Sequence, residues 1–226
     1  MSLLIKICGL RTADTLDAAL EAGADAVGFV LFPASPRNVS LDQARALGAR
    51  VKGRAAKVAL TVDADDALLE RIVEALSPEL LQLHGAETTA RVAAVQKRFG
   101  LPVMKVLPVA DTSDLAAVPP YAAVAGRIMF DARAPRDATR PGGLGKPFDW
   151  HLLENVDADL PFVLSGGLDA ANVSEALAIT RASGVDVSSG VERAPGEKDP
   201  QKIRDFIRAA RAAVNSAPRQ KITSPA

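Results

Sequence analysis

Cys8 closes a short apolar run, Leu3 to Cys8, is followed at once by Gly9, and is the only cysteine in the chain. A thiol at the end of a strand, near the first turn of a following helix, can act as base or nucleophile once ionised. A free cysteine can equally be a small buried hydrophobe. Asp131 ends a second such run, Arg127 to Asp131, and behind it Arg133, Arg136 and Gly142-Gly143-Leu144-Gly145-Lys146 read as a long mobile loop. A carboxyl group under a loop of that kind suits proton transfer, although it could also cap the loop. Two glycine-rich turns, Ser165-Gly166-Gly167-Leu168 and Ser188-Ser189-Gly190-Val191, complete the set. Glycine lets backbone N–H groups approach an anion, hydroxyls add donors, and a following helix adds favourable potential. Gly166, Gly167, Ser188, Ser189 and Gly190 are therefore candidate phosphate contacts.

These groups need a scaffold, and the period of the chain supplies one. Apolar runs that read as strands occur at Leu3 to Cys8, Ala26 to Leu31, Ala56 to Val62, Leu80 to His84, Val103 to Leu107, Arg127 to Asp131, Phe162 to Ser165 and Val185 to Ser188. Between them lie helical stretches at Thr12 to Ala22, Leu41 to Val51, Ala64 to Leu76, Glu87 to Phe99, Ala170 to Ile179 and Pro200 to Val214. The fifth and sixth connections, around Asp114 to Val118 and Phe148 to Leu153, are poor helices. Eight βα units in 226 residues fit a closed (β/α)8 TIM barrel, an α/β fold of a single domain, better than an open sheet with exposed edges. The turn Cys8-Gly9-Leu10-Arg11 lacks the glycine spacing of a dinucleotide site. The expected catalytic domain spans residues 1–214, and the polar stretch 215–226 reads as a disordered tail.

Strand alternation then sorts the side chains. With Cys8 inside, Lys6 and Leu4 are inside too, as are Gln82, His84, Arg127, Asp131, Asp186 and Ser188. Their neighbours Ile5, Ile7, Leu81, Leu83, Phe130, Val185 and Val187 face the helices. The interior is polar toward the strand C-termini, where barrel enzymes place their chemistry. An interior Lys6 needs a counter-ion, and Asp186 is the expected one.

Composition excludes several classes of function. Lys plus Arg and Asp plus Glu are equal at 27 each, so no field attracts nucleic acid. No apolar run reaches the roughly 20 residues needed to span a bilayer, and the N-terminus has no secretory signature. One cysteine forms no intrachain disulfide, which suits a reducing cytoplasm. Two histidines and one cysteine make no structural zinc cage, and neither metal nor cofactor is expected.

The segments Lys6-Ile7-Cys8-Gly9-Leu10, Gly28-Phe29-Val30, Ser35-Pro36-Arg37 and Gln82-Leu83-His84-Gly85 stand in order with Asp131, Gly142 to Lys146, Phe148-Asp149-Trp150, Ser165 to Leu168 and Val185 to Glu192. Together, over about the first 210 residues, they resemble the phosphoribosylanthranilate isomerase family of tryptophan biosynthesis. The resemblance implies an Amadori rearrangement of a phosphosugar anthranilate substrate, with Asp131 as acid and Cys8 as base. It implies that Arg37 holds the anthranilate carboxylate, where the residues alone suggest a surface turn. It sets Asp186 near the anthranilate amine, unless that group chiefly neutralises Lys6. Nearby Lys6 is expected to favour the Cys8 thiolate. His84 reads as a hydrogen-bonded interior histidine.

Two positions depart from the family pattern: Leu144 replaces a hydroxyl residue, and Ser165 replaces a small apolar one. Two other readings compete. A related phosphosugar isomerase of histidine biosynthesis would want an aspartate where Cys8 stands. A non-catalytic phospho-ligand sensor would have no need of an acid and a base. A monomer and a homodimer are both compatible with the sequence.

Overall fold

The computed structural model describes residues 3–135, 138, 141–142, 147–157 and 160–216. Strands β1 (Leu4–Cys8), β2 (Ala26–Val30), β3 (Ala56–Thr61), β4 (Leu80–Leu83), β5 (Val103–Val109), β6 (Arg127–Ala132), β7 (Phe162–Leu164) and β8 (Gly184–Val187) form a closed parallel barrel in chain order. Closure comes from β1 pairing in parallel with β8, and it leaves no strand edge exposed. The surrounding helices are α1 (Ala13–Glu21), α2 (Leu41–Val51), α3 (Asp66–Leu76), α4 (Thr89–Phe99), α5 (Val118–Ala122), α6 (Val173–Thr180) and α7 (Pro200–Ser216).

Local chemistry sets the helix starts. Ser40 and Gln43 make a reciprocal capping box, while Asp65 and Thr88 accept from the backbone N–H groups of Leu68 and Arg91. The two connections expected to be poor helices are indeed 3-10 turns, Thr112–Ala117 and Trp150–Asn155, the first running into the single turn of α5. Helix α7 continues through Asn215 and Ser216, two residues past the expected end of the catalytic domain. Helical hydrogen bonding outlasts the apolar period by a fraction of a turn; residues 217–226 lie outside the described residues.

The apolar residues divide into two layers. Ala26, Val58, Met104, Val106, Met129 and Val163 fill the lower barrel interior. Ile5, Ile7, Phe29, Leu81, Phe130, Ile203 and Phe206 are fully buried between sheet and helices. Burying each such side chain contributes about 1.5 to 3 kcal/mol. The alternation read from the sequence thus holds, with Arg127 half-buried at the start of β6.

Helix α7 fastens the starts of β1 and β2. Arg211 donates to the Leu3 carbonyl at 2.6 Å and to Asp25 at 2.7 Å, and Asp25 in turn accepts from the Ile5 N–H at 2.7 Å. Beyond β8 the sequence reading missed a small antiparallel hairpin, β9 (Glu192–Ala194) and β10 (Glu197–Lys198).

Candidate active site

Register brings the polar interior together. Pairing of β1 with β8 sets Lys6 beside Asp186, and their side chains form a buried ion pair of 2.7 Å. Pairing of β1 with β2 sets Cys8 beside Gly28. A Cβ at position 28 would fall 3.0 Å from the Cys8 Sγ and 3.1 Å from the Lys6 Nζ, so glycine there keeps space for both groups. The expected pairing of Lys6 with Asp186 is present.

Lys6 favours the Cys8 thiolate as expected, but a larger effect opposes it. Burial pushes the thiol above its ordinary range, and Asp186 adds to this, while Lys6 and Lys198 pull against it. The net direction is upward, because taking a thiolate out of water outweighs the attraction of the ammonium groups. Lys6 itself is raised: burial opposes its charge most, but Asp186 and Cys8 together prevail. Thiolate at Cys8 is therefore scarce at neutral pH and strongly basic where it forms.

Across the barrel Asp131 is the penultimate residue of β6, with one carboxylate oxygen 3.2 Å from the His84 Nε2 and the other accepting from the Ala132 N–H at 2.9 Å. His84 follows β4 in a turn anchored from below. There the buried Lys105 lies 2.7 Å from Glu87 and donates to the Gly85 carbonyl at 2.6 Å. Glu87 also accepts from the N–H groups of Gly85 and Asp63. Gly142 packs against both Asp131 and His84, bringing the start of the Gly142–Lys146 stretch over the acid. Arg136 and Gly143 to Lys146, including Leu144, lie outside the described residues.

The two glycine turns sit side by side. Gly166 and Gly167 adopt φ of 90° and 66°, the left-handed region that glycine enters without strain. A Cβ at Gly190 would overlap the Leu168 carbonyl, so a bare backbone is what lets the second turn rest on the first. The helix does not follow Gly167 directly: Asp169 first accepts from the N–H groups of Ala171 and Asn172, and α6 begins at Val173. Ser188 donates its hydroxyl to the Cys8 carbonyl at 3.2 Å. Ser165, one of the departures, approaches Asp186 at 3.4 Å.

Arg37 is buried rather than part of a surface turn. Its Nε and Nη2 bond Glu192 at 2.7 and 2.8 Å, and its stem crosses Gly9, where a Cβ would come within 2.7 Å of it. The sequence reading did not single out Glu192, Lys198, Lys105 or Glu87. The signal available was a lysine on the helix-facing side of β5, where an apolar residue belongs.

Cys8, Arg37, His84, Asp131, Asp186, Ser165 to Leu168 and Ser188-Ser189 line one cavity of about 300 Å³ at the C-terminal mouth of the barrel, while Gly190 stands behind its wall against Leu168. Among the described residues no helix is long and apolar enough to cross a membrane, and no cluster of ligating side chains could hold a metal. Fold and cavity define a (β/α)8-barrel enzyme with its site in the βα loops. A family model described as N-(5'phosphoribosyl)anthranilate (PRA) isomerase matches residues 5–209, and the chain belongs to that family. An N-(5'-phosphoribosyl)anthranilate isomerase from Bradyrhizobium diazoefficiens is 68% identical over 212 residues, covering 94% of this chain and 95% of the relative. The crystal structure of the Thermotoga maritima phosphoribosyl anthranilate isomerase superposes with a TM-score of 0.84 at 33% identity, covering 93% of this chain and 99% of that one. A second isomerase structure, in complex with reduced 1-(o-carboxyphenylamino)-1-deoxyribulose 5-phosphate, gives 0.81 at 30% identity with the same coverage.

Proposed function

We propose that the chain catalyses the Amadori rearrangement of N-(5-phosphoribosyl)anthranilate to 1-(2-carboxyphenylamino)-1-deoxyribulose 5-phosphate in cytoplasmic tryptophan biosynthesis, with Asp131 as general acid and Cys8 as general base. One observation carries the assignment of roles: Cys8 and Asp131 face the same cavity from β1 and β6, with Gly166, Gly167, Ser188, Ser189 and Arg37 on its wall. Asp131 gives its proton to the furanose ring oxygen as the bond from carbon 1 to that oxygen breaks, leaving an iminium. The Cys8 thiolate then takes the proton from carbon 2, and the electron pair neutralises the iminium to form an enolamine. Protonation at carbon 1 and loss of the enol proton give the ketone. The iminium acidifies carbon 2 without a metal, and the high basicity that burial confers on the thiolate suits a carbon acid. Asp186 lies with Lys6 below the anthranilate amine, and the N–H groups of Gly166, Gly167, Ser189 and Gly190, with Ser188, hold the phosphate.

Purified protein given N-(5-phosphoribosyl)anthranilate should convert it, followed by the change in anthranilate fluorescence. Conversion of the related histidine-pathway substrate alone, or of neither, would overturn the reading.

Arg37 separates recognition of the carboxylate from the chemistry on the sugar. Glu192 fixes the plane of its guanidinium at the cavity wall, which suits a directed hydrogen bond to a second carboxylate. Arg37→Ala should weaken binding by roughly 1.5 to 3 kcal/mol, raising KM by about one to two orders of magnitude. kcat should fall much less, because the carboxylate is held equally in ground and transition states. Lys198 still neutralises Glu192 in this variant, 2.8 Å away. An equal loss of affinity for a ligand lacking the carboxylate would instead assign Arg37 to support of the loop.

A further inference from the structure

We propose that Lys198 is a positioning residue for this reaction, tying the phosphate turn, the backbone of Cys8 and the Glu192–Arg37 pair into one unit. The inference rests on the isomerase reading above. Lys198 lies on β10, outside the barrel strands, yet its side chain is only 2% exposed. Its ammonium donates to the Ser188 carbonyl at 2.8 Å and approaches the Ser188 hydroxyl at 3.1 Å and Glu192 at 2.8 Å. Three acceptors thus meet the three donors an ammonium owns. Each leads to a different part of the site. The Ser188 carbonyl belongs to the turn that carries Ser189 and Gly190, and the Ser188 hydroxyl passes the contact on to the Cys8 carbonyl. Glu192 uses both carboxylate oxygens to hold Arg37.

The hairpin of β9 and β10 places this charge where the barrel strands alone could not. Both anionic ends of the substrate, phosphate and carboxylate, then depend on one joint whose geometry the ammonium sets. Its positive charge also favours an anion seated on the Ser188 to Gly190 turn.

Facing Lys198 are Glu192 from β9, Arg37 from the loop after β2, and Cys8 from β1. Lys6 and Asp186 stand beyond Cys8, and Lys202 of α7 bonds the Glu192 carbonyl. Burial lowers the Lys198 pKa to about 8, with Glu192 opposing and Arg37 assisting. The joint therefore loses its charge as pH rises through about 8, and ligand binding by the charged form should weaken over the same range.

The test measures binding of reduced 1-(o-carboxyphenylamino)-1-deoxyribulose 5-phosphate by calorimetry between roughly pH 7 and 9, in a Cys8→Ala background that removes the thiol titration. The ligand's phosphate is essentially fully ionised from about pH 7 upward, and Lys6 is held above its ordinary range. Kd should rise about fivefold across that window, as Lys198 passes to a neutral form that binds about tenfold more weakly. Lys198→Met in the same background should bind about tenfold more weakly at neutral pH, with a flat pH profile. A merely structural lysine would not produce that proton linkage. If Lys198→Met fails to fold by circular dichroism, the pH profile of the Lys198-containing protein decides alone. A flat profile there, or an unchanged profile in Lys198→Met, overturns the inference and leaves the isomerase reading standing. Absence of both turnover and ligand binding in the wild type would overturn that reading, and the inference with it.

Discussion

Cys8→Ala should lower turnover by at least about a hundredfold, the usual contribution of a general base, while leaving affinity for the reduced ketose ligand nearly intact. A group that acts only by taking a proton works in the transition state, so its loss appears in kcat and not in Kd. The structure makes this separation clean. Cys8 is held between Lys6 and Gly28, its carbonyl rather than its thiol bonds Ser188, and truncation leaves that backbone contact in place. The Lys6–Asp186 pair also survives, since its 2.7 Å contact does not involve the thiol. Steady-state kinetics and calorimetry on the same preparation check the split. Turnover like that of the wild type would remove Cys8 from the mechanism.

A loss of similar size, about a hundredfold or more, is expected for Asp131→Asn, because an amide cannot supply the proton that opens the ring. Its carbonyl can still accept from the Ala132 N–H, and the His84 ring remains in reach of the amide. The fold should therefore persist, and circular dichroism with a ligand-binding measurement confirms it. A folded Asp131→Asn protein with full turnover would pass the role of acid to another group, with His84 the first candidate by proximity.

Much of this was legible in the chain because its signals are local. Two-residue alternation along Leu4 to Cys8 is enough to put Lys6 and Cys8 on one face, and the demand of a buried ammonium for a counter-ion points to Asp186. What escaped is tertiary. The segment Arg193 to Asp199 is polar and aperiodic, and nothing within it shows that a hairpin will carry Lys198 under the phosphate turn. Lys105 and Glu87 escaped for a related reason: their burial depends on α5, whose Tyr121 covers the pair by bonding the Glu87 carbonyl at 2.9 Å. The balance on the Cys8 thiol could not be read either. A lysine two residues away argues for ionisation, whereas the depth of burial that decides the matter exists only in the folded barrel.

The seam between β1 and β8 has a consequence for biosynthesis. Lys6 is translated 180 positions before its counter-ion Asp186. Long-range pairings of this kind form late, because the intervening chain must first be ordered. Until β8 and α7 have been translated, the nascent chain holds Cys8, Arg37 and Asp131 but cannot hold them in one cavity, and the Lys6 ammonium must stay hydrated. The cavity that gathers these side chains is therefore complete only once β8 has paired with β1.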